Sequence, residues 1–210
     1  MNWRRLLKVA VVLAALAGLW FFWPRHADMR GFDPAVSATL EARMWRSYYA
    51  HQRVTLFADL YRLSRGQYHF SPWDSTRLGW HAARSARVFQ ASRSRAEAQA
   101  ALPMLERYYG VIRAGSGENF DAPKAAREEL EWWQLRRENK KWPDYGQAIA
   151  RVTETVYRVR GPAVDQSALL RAEMMDYRDA RRRRALSEEE WKHVEAGLLR
   201  AWTLLKEAVR

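Results

Sequence analysis

The sequence predicts an all-α protein, with an N-terminal single transmembrane helix followed by a six- to seven-helix bundle. Three observations predict it: an apolar stretch near the start, apolar residues at helical spacing in later segments, and no window with the alternation of a strand. Helix-start signals also recur. Asp33-Pro34, Ser71-Pro72 and Gly161-Pro162 each place a capping-type residue before a proline. Ser187 and Glu190 have the spacing of a capping box.

The apolar stretch runs from Leu6 to Trp23, which corresponds to roughly 27 Å of helix and suffices to cross a bilayer. Only Lys8 interrupts it, one turn from the start, where its side chain can extend back to the headgroups. Aromatic rings follow at the far end, as is typical of a membrane interface. The predicted anchor residues are Leu6, Trp20, Phe21, Phe22 and Trp23.

Basic residues favour one orientation of this segment. Arg4, Arg5 and Lys8 lie on its short N-terminal side, whereas Arg25 and Arg30 follow it. This asymmetry predicts a cytoplasmic N-terminus and an extracytoplasmic C-terminal domain. The frequent Ala and Arg are typical of a GC-rich bacterial genome, so we expect a single-pass protein of the bacterial inner membrane with a periplasmic domain.

A cleaved signal peptide is the alternative interpretation. Ala15-Leu16-Ala17 has the small-x-small form that signal peptidase needs. The apolar stretch continues for six residues past that site, through a cluster of bulky rings. We therefore expect the segment to be retained.

The domain prediction follows from these features: a cytoplasmic stub and anchor over 1–24, a juxtamembrane linker over 25–32, and one helical domain over 33–210. Within that domain, apolar spacing predicts helices at about 34–65, 72–100, 121–140, 144–160, 162–183 and 188–209, with a further segment after Pro103. The sequence leaves open whether Pro103 kinks one helix or separates two.

Composition limits the chemistry. There is no cysteine, so disulfides and thiol chemistry are excluded and zinc would lack its usual sulfur ligands. The 36 basic and 24 acidic residues give a net charge of +12, which could attract nucleic acid or anionic lipid. Beside a membrane anchor, the lipid bilayer is the nearer partner, and we expect no nucleic-acid partner. A basic domain that binds nucleic acid or anionic lipid remains an alternative.

Motifs of catalysis are absent from the sequence. It holds no phosphate-binding glycine-rich loop, no zinc-protease helix motif, no nucleophile elbow and no calcium loop. This favours a protein without enzymatic activity, and we expect no cofactor and no metal. The favoured function is an interaction or scaffolding module at the membrane surface.

The rival hypothesis is an enzyme, or a bundle that binds a small molecule or metal through inward carboxylates. Bundles with two metal ions also need Glu-x-x-His on two helices. This chain has one such spacing, Glu190 to His193, and Glu190 already belongs to the capping box. Glu–Arg pairs are therefore the commoner explanation of acidic groups on apolar ridges. The candidate site residues are Glu41, Glu131, Glu173, Asp176, His81 and Arg171.

A run of four arginines, Arg181, Arg182, Arg183 and Arg184, precedes three glutamates at the start of the last helix. Cations at the end of one helix and anions at the start of the next match the helix dipoles. The alternative is contact with anionic headgroups, provided that the junction folds back toward the membrane.

Overall fold

The computed structural model describes residues 3–210, apart from the side chain of Arg5. Over this range the chain is helical and contains no strand, which confirms the all-α prediction. The helices are α1 Trp3–Phe22, α2 Pro34–Tyr49, α3 Arg53–Arg62, α4 Pro72–Ala91, α5 Arg95–Ala98, α6 Leu102–Ser116, α7 Ala122–Arg137, α8 Trp142–Tyr157, α9 Pro162–Asp179 and α10 Glu188–Val209.

The expected caps begin three of these helices. The side chain of Asp33 accepts hydrogen bonds from two backbone N–H groups in the first turn of α2. Ser71 caps α4 by accepting from the N–H of Asp74. At α10, Ser187 and Glu190 form the complete capping box. These side chains satisfy N–H groups that have no partner within the helix.

The helix predicted at 34–65 is two helices. The chain turns at Ala50–Gln52, where His51 takes a positive φ of 56°, and α3 then folds back beside α2. A five-residue π-helical turn, Leu63–Gln67, follows α3. Neither Gly nor Pro marks the turn at Ala50–Gln52, and the apolar spacing continues through it, so this break leaves no sign in the sequence.

The helix predicted at 72–100 ends early, at Ala91. Arg137 of α7 donates hydrogen bonds to the carbonyl and hydroxyl oxygens of Ser92, which stabilises the end of α4. Pro103 lies in the first turn of α6, so it begins a helix, and the chain is already broken at 92–94.

The main core is built from residues of α2, α4, α6, α7, α8, α9 and α10. The apolar residues at helical spacing on α10 form a stripe that is buried throughout: Trp191, Val194, Leu198, Trp202, Leu205 and Val209. Phe32 and Phe70, which lie outside the helices, are also fully buried. The stripe therefore supplies one wall of the core, and loop residues close its end.

The segment predicted as a juxtamembrane linker is part of the core. Ala27, Met29 and Phe32 are buried. The N–H of Ala27 donates to the carbonyl of Gly115 over 2.8 Å, which ties the segment to the end of α6. Arg30 donates to the carbonyls that end α8 and α10. Three apolar side chains therefore anchor this segment against the bundle.

Helix α1 projects from this end of the bundle. Near its C-terminal end, the rings of Phe21 and Phe22 contact Trp73 at the start of α4. Most of its other apolar side chains are exposed. Across residues 3–210, none of the helices combines the length and the apolar character needed to cross a membrane, so the predicted span has no support in the structure.

Candidate functional site

A cavity of about 590 Å³ lies between α2, α3, α4 and α7. Four small residues on one face of α4 leave the room for it: Gly79, Ala82, Ala83 and Ala86. Their spacing places all four on the same side of the helix. The walls opposite α4 are mainly aromatic and consist of Trp45, Tyr48, Tyr49, Phe57, Trp132 and Trp133, while Phe89 of α4 adds a further ring.

Helix α3 covers one side of the cavity. Its apolar residues Leu56, Phe57 and Leu60 are only half-buried, because they face the cavity and not a packed core. An ion pair of Asp59 also holds α3 against the bundle. The carboxylate of Asp59, which is fully buried, is 2.8 Å from Arg62 and 3.0 Å from Arg43 of α2. This carboxylate therefore links the covering helix to the body of the bundle.

Glu129 is the carboxylate that lines this cavity. It accepts a hydrogen bond from the indole N–H of Trp133 and another from the hydroxyl of Tyr109, each over 2.9 Å. No Lys, Arg or His among the described residues lies within ion-pair distance of it. Burial raises the pKa of Glu129 despite these hydrogen bonds. The carboxylate is thus held by neutral donors alone.

A second polar group of the cavity lining, Arg136, is already engaged in hydrogen bonds and an ion pair. Arg136 donates to Asp179 and to the hydroxyl of Tyr49, both over 2.7 Å. Arg178 lies over the ring of Tyr49, with 3.3 Å between the guanidinium carbon and the ring centroid. Because its charge is paired, Arg136 contributes little net charge to the cavity.

Two exposed cations mark the opening. Arg53 at the start of α3 and Arg87 on α4 both line the cavity and reach solvent. Neither forms an ion pair within the described part of the chain. Beside them, Gln90 donates to the hydroxyl of Tyr48 across the gap between α4 and α2. The opening is therefore positively charged.

Two of the predicted site residues, Glu41 and Arg171, meet in a buried ion pair. Arg171 donates to Glu41 over 3.0 Å, and the indole N–H of Trp202 donates to the same oxygen over 2.7 Å. The guanidinium also lies over the Trp202 ring. These contacts join α2, α9 and α10, away from the cavity, so the pair has a packing role.

The other predicted carboxylates do not converge with them. Glu131 pairs with Arg95 on the outside of α7, while Glu173 and Asp176 are exposed on α9. Within residues 3–210, His, Asp and Glu nowhere form a group of three that could hold a metal ion. None of the predicted carboxylates lines the cavity, whereas Glu129 does. The available signal was helical spacing, since Glu129 shares a face of α7 with Trp132, Trp133 and Arg136.

His81 lies on α4 but outside the cavity. It is half-buried, and its Nδ1 has no hydrogen-bond partner among the described groups. Burial lowers the pKa of His81, and the nearby charges of Arg77, Arg107 and Arg84 lower it further. The charged form of the side chain is thus disfavoured, and His81 does not line the candidate site.

The arginine run forms the junction between α9 and α10. Arg181 and Arg184 both donate to Glu190, and the contact with Arg184 lowers the pKa of Glu190 to about 2. The 22 residues of α10 extend about 33 Å from this junction to Val209. Because Val209 is bonded to Arg30 at the base of α1, the run lies at the opposite end of the bundle. It does not fold back toward α1.

Comparison of the chain with protein-family models, with curated proteins and with solved structures gave no match.

Proposed function

We propose that this protein is a membrane-attached helical module, in which α1 inserts into a bilayer and holds the bundle at the membrane surface. The bundle then acts as an interaction module beside the lipid. The observation that carries the proposal is the exposure of α1, whose large apolar residues from Leu6 to Trp20 present a lipid-like surface on every side.

The exposure is continuous around the helix. Val11, Val12 and Leu13 follow one another along the chain, so they point in three directions, and each is 57% to 61% exposed. A helix that packs on a water-soluble core has one apolar face, whereas a helix that is apolar all round needs an apolar environment. Lipid tails meet that requirement.

The residues at the base of α1 suit a membrane interface. Trp20, Phe22 and Trp23 are exposed, and Phe22 also contacts Trp73 of the bundle. The guanidinium of Arg25 lies over the ring of Trp20, at 5.2 Å from the centroid. Aromatic rings accompanied by a cation are typical of the headgroup region.

Basic residues at the other end of α1 support an orientation across the membrane. Arg4 and Lys8 lie in the first turns of α1, so we propose that this end is cytoplasmic and that the bundle is extracytoplasmic. The uninterrupted apolar part, Val9 to Trp23, corresponds to about 22 Å of helix. Crossing therefore depends on extension of the Lys8 side chain toward the headgroups.

The test uses single cysteines, because the natural chain has none to react in the background. Full-length Leu13→Cys and Val54→Cys variants are labelled with a membrane-impermeant maleimide in spheroplasts of an expressing bacterium. We expect labelling at Val54, which is 85% exposed on α3, and protection at Leu13 until detergent is added. Equal labelling of both positions without detergent would overturn the proposal.

A third variant, Trp3→Cys, decides whether α1 crosses. If it crosses, Trp3 lies on the side opposite Val54 and is labelled only after the membrane is permeabilised. If α1 lies within one leaflet, both positions react from the same side. As a matched control, Val54→Lys retains membrane association, whereas Leu13→Lys with Leu16→Lys releases the chain into the soluble fraction.

A further inference from the structure

We propose that the cavity between α2, α3, α4 and α7 is a binding site for an anionic amphiphile, with its hydrocarbon chain inside and its charged end at Arg53 and Arg87. A free fatty acid and an anionic phospholipid share this chemistry. The inference goes beyond membrane attachment and does not depend on it.

The size and lining fit a hydrocarbon chain. Ligand sites typically enclose about 300–1,000 Å³ with mainly apolar walls and few polar groups, and the volume of about 590 Å³ falls within this range. Trp45, Phe57 and Trp133 supply aromatic walls opposite the small side chains of α4, and Phe89 of α4 adds a further ring. A chain that leaves water for this space gains about 0.8 kcal/mol for each buried CH₂.

The charges at the opening select the end group. Arg53 and Arg87 are the exposed cations of the lining, and no carboxylate of the described chain neutralises either of them. A carboxylate or phosphate at the opening would accept charge-assisted hydrogen bonds from these guanidinium groups. Arg is well suited to this contact because its planar donors match both anions.

The carboxylate of the cavity lining, Glu129, does not favour a ligand with a cationic end group. Both oxygens of Glu129 accept hydrogen bonds from neutral donors, Tyr109 and Trp133, and burial disfavours its charged form. A cationic end group would also have to pass the two arginines. Glu129 therefore adds a polar group whose two oxygens are already hydrogen-bonded to an otherwise apolar site.

The cover over the site has the backbone features of a movable element. Helix α3 is short and lies between the positive-φ turn at His51 and the π-helical turn Leu63–Gln67. π-Turns frequently occur at functional sites. Apart from Asp59, no residue of α3 is buried, so a displacement of this helix has to separate Asp59 from Arg43 and Phe57 from Gly79 but opens no packed apolar core. Entry of a chain between α3 and α4 requires only that displacement.

The test uses full-length protein in lipid nanodiscs and three sixteen-carbon probes that carry a photoreactive diazirine in the chain. The probes differ in their end group: a carboxylate, an alcohol and a trimethylammonium. After irradiation, peptides are mapped by mass spectrometry. We expect the carboxylate probe to label the segments 45–57, 79–90 and 129–136 several-fold more than the other two probes.

Two variants test the residues. Arg53→Gln with Arg87→Gln lowers cavity labelling by the carboxylate probe several-fold and leaves the alcohol probe unchanged. As the control, Arg151→Gln with Arg200→Gln also removes two positive charges, but from exposed positions on α8 and α10. It leaves cavity labelling by the carboxylate and alcohol probes unchanged. Ala86→Phe fills the cavity and abolishes labelling there by every probe, while circular dichroism confirms that it folds.

Three results would overturn the proposal: equal cavity labelling by all three end groups, preference for the ammonium probe, or no effect of the two arginine substitutions. Competition with unlabelled fatty acid or with anionic phospholipid then separates the two sources of the ligand. Labelling of α1 by the bulk lipid reports membrane insertion separately, so failure of the cavity proposal and failure of membrane attachment are distinguishable.

Discussion

The pair formed by Glu41 and Arg171 shows how one contact between side chains fixes the register of three helices. Their side chains are only 11% and 16% exposed, and the Trp202 indole completes the carboxylate's hydrogen bonds. A buried ion pair adds little net stability over an apolar contact of the same shape, but removal of one partner leaves the other charge uncompensated. The pair therefore specifies the packing of α2, α9 and α10 more than it strengthens it.

We expect Glu41→Gln to lower the free energy of unfolding by about 3 kcal/mol, because it leaves the Arg171 guanidinium buried without a counter-ion. Urea denaturation of the full chain in mild detergent measures the loss. Glu189→Gln is the control, since its partner Lys192 is highly exposed and such pairs contribute about 0–1 kcal/mol. A loss at Glu41 no larger than at Glu189 would contradict the packing role of the pair.

Glu129 and Glu190 have opposite effects on the pH dependence of stability. Burial raises the pKa of Glu129 above its ordinary 4.5, so the folded state binds this proton more tightly than the unfolded state. Stability from this group is therefore largest below that value and falls as pH rises through the folded pKa. For Glu190, whose pKa is lowered to about 2, stability is lost as pH falls from about 4.5 toward 2.

We expect Glu129→Gln to remove the decline of stability above pH 4.5. The free energy of unfolding of the wild type, relative to that of the variant, is then higher at about pH 4.5 than at about pH 7. Denaturant titrations across this range measure the difference. Glu190→Gln leaves that range unchanged and flattens the profile below about pH 4.5. A constant difference between wild type and Glu129→Gln would show that Glu129 does not titrate differently on folding.

At the scale of elements, helices with strong end signals were predicted well from the sequence. The bounds of α10 follow from a capping box and a stripe of regular spacing. The break at Ala50–Gln52 could not be predicted, because tertiary packing of α3 over the cavity produces it and no Gly or Pro marks it. The cavity escaped prediction for the same reason, because its walls come together only when α3 folds back beside α2 and α4.

Gly79 allows α3 to approach α4. A Cβ built at this position lies 2.5 Å from the ring of Phe57, so any larger residue forces that ring to move. We expect Gly79→Ala to lower the free energy of unfolding by about 1–2 kcal/mol, even though Ala favours helix more than Gly does. Thermal and urea denaturation measure the effect.

Gly110 on α6 is the matched control, because a Cβ there meets no atom within 4 Å. Gly110→Ala is expected to raise the free energy of unfolding by about 0.5–1 kcal/mol, through helix propensity alone. If Gly79→Ala stabilised the protein as much as Gly110→Ala, α3 would move away from the new Cβ at no cost. The contact of Phe57 with Gly79 would then not fix the position of α3.

At the scale of the whole molecule, residues 26–32 connect α1 to the bundle as a rigid base. Phe32 packs edge-on against Trp202, with 5.0 Å between ring centroids, and also against Tyr68. Arg30 bonds to the carbonyls of Tyr157 and Val209, which are otherwise without helical partners. The segment therefore closes one end of the core, and the position of the bundle relative to the base of α1 is fixed.

Two truncations separate the projecting helix from this base. A chain that begins at Pro24 loses α1 but keeps the buried residues of the base, so we expect cooperative unfolding with a free energy close to that of the full chain. A chain that begins at Asp33 also loses Met29 and Phe32. Removal of a buried Phe side chain alone costs about 3–5 kcal/mol, so this chain should be largely unfolded or should unfold at a much lower temperature.

Calorimetry and near-ultraviolet circular dichroism distinguish the two truncated chains, since Trp202 loses its packed environment only in the shorter one. The variant Phe32→Ala in the chain that begins at Pro24 isolates the ring from the rest of the segment, and it should account for most of the destabilisation. If both truncations unfold alike and close to the full chain, residues 26–32 are a linker after all, and the bundle moves freely on its helix.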